Sequence, residues 1–130
     1  MPATYKTDQS ADTTVTLQVE TVVATLTGIT TQRPGQQVAL EGYINFLVGT
    51  ATTALQLRIR EDSLTGAVVS EPQTRTIDTA AGSTEDHTIM GAHTPAGEVS
   101  GKTYVLTVQQ TAATGDGTCT HSSLRADLNP

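Results

Sequence analysis

An all-β sandwich of about eight antiparallel strands is the architecture this sequence predicts, and three observations predict it. The first is a strict period of two. In Ala54–Asp62, Leu55, Leu57 and Ile59 alternate with Gln56, Arg58 and Arg60, and in Lys102–Gln109, Tyr104, Leu106 and Val108 share one face. The second is composition: 26 of the 130 residues are Thr, and Val, Ile and Leu supply most of the remaining apolar material. β-Branched side chains suit a pleated surface better than a helix. The third is punctuation, with Gly, Pro and Asp recurring between the alternating runs at the spacing of sandwich loops.

Taken in order, Met1–Asp12 is polar with Tyr5 as its anchor, and is expected to be a flexible arm ahead of a single domain over 13–130. Thr13–Thr27 starts in alternation at Val15, Leu17 and Val19, then slips at Val22–Val23. A bulge, or a break between two short strands, accounts for the slip. Arg33-Pro34-Gly35 is a turn. Val38, Leu40, Gly42, Ile44 and Phe46 then hold one phase, with Gly42 marking a bulge or a close contact. Ala54–Asp62 pairs with that strand across Gly49–Thr53. Ala67–Glu71 is a short strand, stopped or set at an edge by Pro72. Gln73–Thr79 continues beyond it, with Ile77 as its large apolar residue. Thr84–His93 is a weaker strand around Ile89 and Met90. Lys102–Gln109 is the strongest late strand, and Gly115-Asp116-Gly117 tips the loop after it. In Thr118–Leu128 the alternation puts Thr120, Ser122, Leu124, Ala126 and Leu128 on one face, with Cys119 and His121 together on the other.

A chain of this length can bury about two thirds of its unfolded surface. Its aromatic content is only 3%, so subunit contacts are expected to add burial. Thirteen acidic against seven basic residues give a net charge of −6, which disfavours nucleic acid as a partner. No run is long and apolar enough to cross a membrane, so no membrane partner is expected. The N-terminus has no hydrophobic region of a secretory signal. Cys119 is the single cysteine, which excludes an internal disulfide and a zinc framework and fits assembly in a reducing compartment.

Chemistry is sparse. His87 and His93 are six apart, without a ligand geometry on a strand, while Cys119 and His121 offer two soft ligands where a closed site needs more. No metal or cofactor is therefore expected. Gly-x-Ser-x-Gly, phosphate loops and dinucleotide fingerprints are absent, and Glu61, Asp62, Glu85 and Asp86 fall at expected strand ends and turns. The chain is read as a non-enzyme. A sugar-binding module would stack rings on exposed aromatics. Phe46 and Tyr104 fall on core faces by phase, whereas Tyr43 lies opposite the core face of its strand. Arg58 and Arg60 share the outward face of the best strand. They pair across strands, with Glu41 or Glu71, or contact an acidic neighbour.

The run Leu55-Gln56-Leu57-Arg58-Ile59-Arg60, then Thr65-Gly66, Pro95-Ala96-Gly97, Lys102-Thr103-Tyr104-Val105-Leu106-Thr107-Val108-Gln109 and Leu124–Leu128 resembles small jelly-roll virion proteins of tailed bacteriophages. The resemblance spans roughly Gln36 to Leu128 and leaves the polar N-terminus uncovered. It implies a jelly-roll-like sandwich and a capsid decoration, or cement, protein. Such a protein sits on the outer capsid surface as a homotrimer and bridges subunits of the major capsid protein. On this reading the contact candidates are Tyr5 and Lys6 in the arm and Arg58 and Arg60 on the strand face. The alternative from another class is a tail or baseplate module that recognises a host-surface glycan and depends on Tyr43.

Overall fold

The computed structural model describes residues 4–49, 52–71, 73–76, 80–113 and 115–129. It contains nine strands among these residues: β1 (Thr4–Gln9), β2 (Thr13–Val15), β3 (Thr21–Ile29), β4 (Val38–Leu47), β5 (Thr52–Glu61), β6 (Gln73–Thr76), β7 (Thr84–His93), β8 (Lys102–Ala113) and β9 (Gly117–Leu128). All pairings are antiparallel. One sheet runs β1-β9-β4-β7, with β2 also pairing β9; the other runs β3-β8-β5-β6. With β1 and β2 taken as two halves of one broken strand, each sheet has four positions, and β5–β6 is the one neighbouring pair that is also consecutive in sequence. That interleaving is the double Greek key of a jelly roll.

The core lies between the sheets and is built as the alternation requires. β4 turns Val38, Leu40, Ile44 and Phe46 inward, β5 turns Leu55, Leu57 and Ile59, and β8 turns Tyr104, Leu106 and Val108; all are buried. Gly42 continues the inward row of β4 in unbroken register with β7. A Cβ there would stand 2.8 Å from Leu106 Cδ1, so the glycine marks a close contact across the sandwich. The expected slip in the second segment is real. Val15 ends β2, a turn follows, and the β3–β8 register shifts between Val22 and Ala24, which lets Val23 and Ala24 both be buried.

The structure departs from expectation at four places. Thr4–Gln9, read as part of a polar arm, is an edge strand laid along β9 from Thr4↔Asp127 to Gln9↔Ser122, because Tyr5 packs against the core and the backbone completes a ladder. Residues 1–3 and Ile77 lie outside the described residues. Ala67–Glu71 is no full strand. It makes isolated bridges, Val68 to Arg60 and Ser70 to Gly91, and so ties the two sheets together at their edge. β5 pairs with β8 and β6, on the sheet opposite β4, since the intervening connection crosses between sheets. Finally, the phase of β9 breaks. His121 opposes Asn45 but Cys119 opposes Phe46, so Thr120 is the extra residue of a bulge. Cys119 therefore points into the core with Ser122, Leu124, Ala126 and Leu128, and does not share a face with His121.

Candidate functional site

The four predicted contact residues lie in two places and are not brought together. Tyr5 points inward from β1, and its hydroxyl donates to the Thr30 carbonyl at 3.4 Å while accepting from the Thr30 amide at 3.3 Å. Lys6 points outward, is exposed, and stands 3.4 Å from Asp8. Arg58 and Arg60 lie on the other sheet, on the outer face of β5. Neither is paired with Glu41 or Glu71. Both converge on Glu20, which the turn between β2 and β3 folds over that face.

Arg60 grips Glu20 with two bonds, Nε to Oε2 at 2.7 Å and Nη2 to Oε1 at 3.0 Å, and donates through Nη1 to the Gly66 carbonyl at 2.8 Å. Arg58 stands 3.2 Å from Glu20 and donates to the side chains of Gln109 and Gln56. Thr107 donates its hydroxyl to Glu20 at 2.7 Å. Burial works to raise the Glu20 carboxyl, but the hydrogen bonds from Arg60 and Thr107 and the charge of Arg58 outweigh it and hold it below its usual range. This knot covers β8, whose Thr107 is fully buried although it faces away from the core. The long arms of two arginines and a folded-over turn shield the four-stranded sheet from water.

The outer face of the five-stranded sheet is arranged differently. β4 presents Tyr43 and Asn45, β7 presents Asp86 and Thr88, and β9 presents His121 and Ser123. Tyr43 donates its hydroxyl to Asp86 Oδ1 at 2.7 Å, and Asn45 Nδ2 donates to the same oxygen at 2.7 Å. Asn45 Oδ1 accepts from the Thr120 hydroxyl. The Tyr43 and His121 rings meet edge to face, 6.0 Å between centroids. The bonds from Asn45 and Tyr43 hold the Asp86 carboxyl below its ordinary range, and the same carboxylate raises the Tyr43 phenol. Asp86 itself is exposed. Sequence reasoning put Tyr43 on the outer face but had no reason to join it to Asp86, 43 residues away, or to His121 beyond the bulge.

A third cluster closes one end of the sandwich. His93 Nδ1 lies 2.8 Å from the Tyr104 hydroxyl, His93 Nε2 lies 3.3 Å from Glu61, and Lys102 donates to Glu61 at 2.8 Å. Burial, reinforced by Glu61 and Asp62, drives the Tyr104 phenol far up. The group is locked together rather than open. Burial also pushes the Cys119 thiol up to about 11, so it is a poor nucleophile. Its Sγ contacts the His121 carbonyl, not the imidazole. Among the described residues no three His, Cys, Asp or Glu side chains are grouped to hold a metal ion.

No protein-family model and no curated protein matches this chain. Solved structures do. The infectious bursal disease virus VP2 subviral particle superposes on 98% of this chain with a TM-score of 0.60 at 11% identity. The Gx strain of the same virus covers 99% at a TM-score of 0.53 and 16% identity. FlhE covers 99% of this chain and 98% of its own, at a TM-score of 0.50 and 8% identity. At such identities the likeness is one of fold: a jelly-roll β-sandwich of the kind found in a viral capsid protein. This chain spans about a third of the length of those capsid chains, 33% and 32%.

Proposed function

We propose that this protein is a structural virion component, a bacteriophage head decoration protein that binds the outside of the capsid and bridges subunits of the major capsid protein. One observation carries the reading. Nearly the whole chain superposes on one jelly roll of a capsid protein. The strand-and-turn resemblance to phage decoration proteins agrees with it. The acidic surface suits a protein that must stay soluble at high copy number. The work of such a protein is mechanical, not catalytic. It adds interface area between coat subunits, and small contributions sum over a shell. A homotrimer, matching three-fold positions of the shell, is part of the proposal.

Contact with the coat is assigned to the β1 edge. Lys6 is exposed there, and an edge strand is a ready template for pairing with another chain. Arg58 and Arg60 already spend their hydrogen bonds on Glu20, so a contact through them would have to be made by the rims of their guanidinium groups. The test is sedimentation of the purified protein with expanded, undecorated heads of the phage whose genome encodes it. Saturable binding that raises the heat resistance of the heads is the expected result. Failure to co-sediment, or recovery with tails alone, would overturn the reading. Light scattering over a range of concentrations checks the trimer.

A further inference from the structure

We propose that the outer face of the five-stranded sheet carries a binding site for a neutral sugar, centred on Tyr43 and Asp86. Four aromatic residues serve the whole chain. Phe46 and Tyr104 are buried in the core, and Tyr5 packs against it. Tyr43 alone stands on an outer face and contributes nothing to the core. A ring placed there in a chain so poor in rings calls for a use, and a flat, partly exposed phenol matches the apolar C–H face of a pyranose.

The polar groups around it are those a sugar requires. Asp86 offers an exposed, ionised carboxylate, a strong acceptor for hydroxyl groups. Its Oδ1 is held by Tyr43 and Asn45, which fixes the carboxylate and aims Oδ2 away from them. The amide of Asn45 is fixed in turn by Thr120. A second, independent feature is the β9 bulge. Without the extra residue at Thr120, the strand could not keep Cys119 inward and still present His121 beside Tyr43. Bulges re-aim side chains in this way beside binding sites. Charge selects the ligand class. Asp8, Glu41, Asp86 and Asp127 outnumber Lys6 and Arg125 on this face of a chain of net charge −6, so a neutral sugar is favoured over an acidic one.

The inference does not rest on the capsid reading, since binding to heads and binding to sugars are separate assays. The probes are neutral hexasaccharides of glucose, N-acetylglucosamine, mannose and galactose, with sialyllactose as the acidic control. Each is titrated to millimolar concentration into the labelled full chain while backbone amides are followed by NMR. Shifts confined to β4, β7 and β9 around Tyr43, from at least one neutral sugar and not from the control, are expected. Tyr43→Ala weakens that binding by about tenfold or more, whereas Tyr43→Phe, which keeps the ring, stays within about threefold of wild type. Asp86→Asn weakens it by about tenfold. The dispersion of the remaining amides shows that each variant is folded. No shift from any neutral sugar, shifts mapping elsewhere, or Tyr43→Ala binding as wild type would each overturn the proposal.

Discussion

The two outer faces of this sandwich begin from the same sequence pattern and end differently. On β5 the outward residues are Gln56, Arg58 and Arg60; on β4 they are Glu41, Tyr43 and Asn45. The first set is roofed over by the turn that carries Glu20, which leaves the Arg58 and Arg60 side chains only 15% and 20% exposed. Among the described residues the second set has no such roof, and its charged partner, Asp86, is exposed. The difference teaches that polar outward positions have two uses. Charges gathered under a roof become part of the fold, and their loss unbalances it. Charges left in the open cost little to change and are free to meet a ligand.

The largest expected effect tests the roofed face. Glu20→Ala leaves two largely buried arginine side chains without their carboxylate, and is expected to cost about 3 kcal/mol, lowering the midpoint of thermal unfolding by about 10 °C. Asp86→Asn, on the open face, should leave the midpoint essentially unchanged. Equal losses from the two variants would erase the distinction. Next in size is Arg60→Ala, at about 2 kcal/mol. Combined with Glu20→Ala it should cost about 1 kcal/mol or more less than the sum of the single changes, because both remove one interaction. Additive costs would show that the knot is not a unit.

Smaller again is the response to acid. The Glu20 carboxyl is held below its ordinary 4.5 in the folded chain. Its stabilising contribution is therefore complete above about that pH and is lost as pH falls through the lower, folded value. Chemical unfolding at a series of pH values should show this loss, and Glu20→Gln should flatten the curve in that window. An unchanged slope would mean that other carboxylates govern acid unfolding. The smallest effect expected is Lys6→Ala. The exposed Lys6–Asp8 pair is worth less than about 1 kcal/mol, so this variant should unfold like wild type and reveal itself only in binding to heads.

Much of this molecule was legible in advance, for reasons that lie in local physics. β4, β5 and β8 announce themselves because a strand one face of which is buried must alternate, and Leu55-Gln56-Leu57-Arg58-Ile59-Arg60 alternates without exception. The slip at Val22–Val23 was visible for the same reason, as a fault in a regular pattern. β1 was not, because an edge strand with one anchoring Tyr and exposed neighbours has a polar pattern like that of a loose tail. The Thr120 bulge leaves no mark in the sequence because Thr, His and Ser are tolerated on either face, so the true phase is set only by Cys119 fitting opposite Phe46. Neither site was legible as a site. Glu20 lies 38 and 40 positions from its arginines, and Asp86 lies more than 40 from Tyr43 and Asn45.

By itself, then, the sequence determined the class of fold, the inward rows of the central strands and the absence of helices among the described residues, since each follows from the chemistry of neighbours along the chain. Only the tertiary structure decided which strands sit side by side, which arginine meets which carboxylate, and which face is covered. Those outcomes depend on the closing of loops between distant segments, where the energy of a pairing comes from groups that meet only after the sheets have packed.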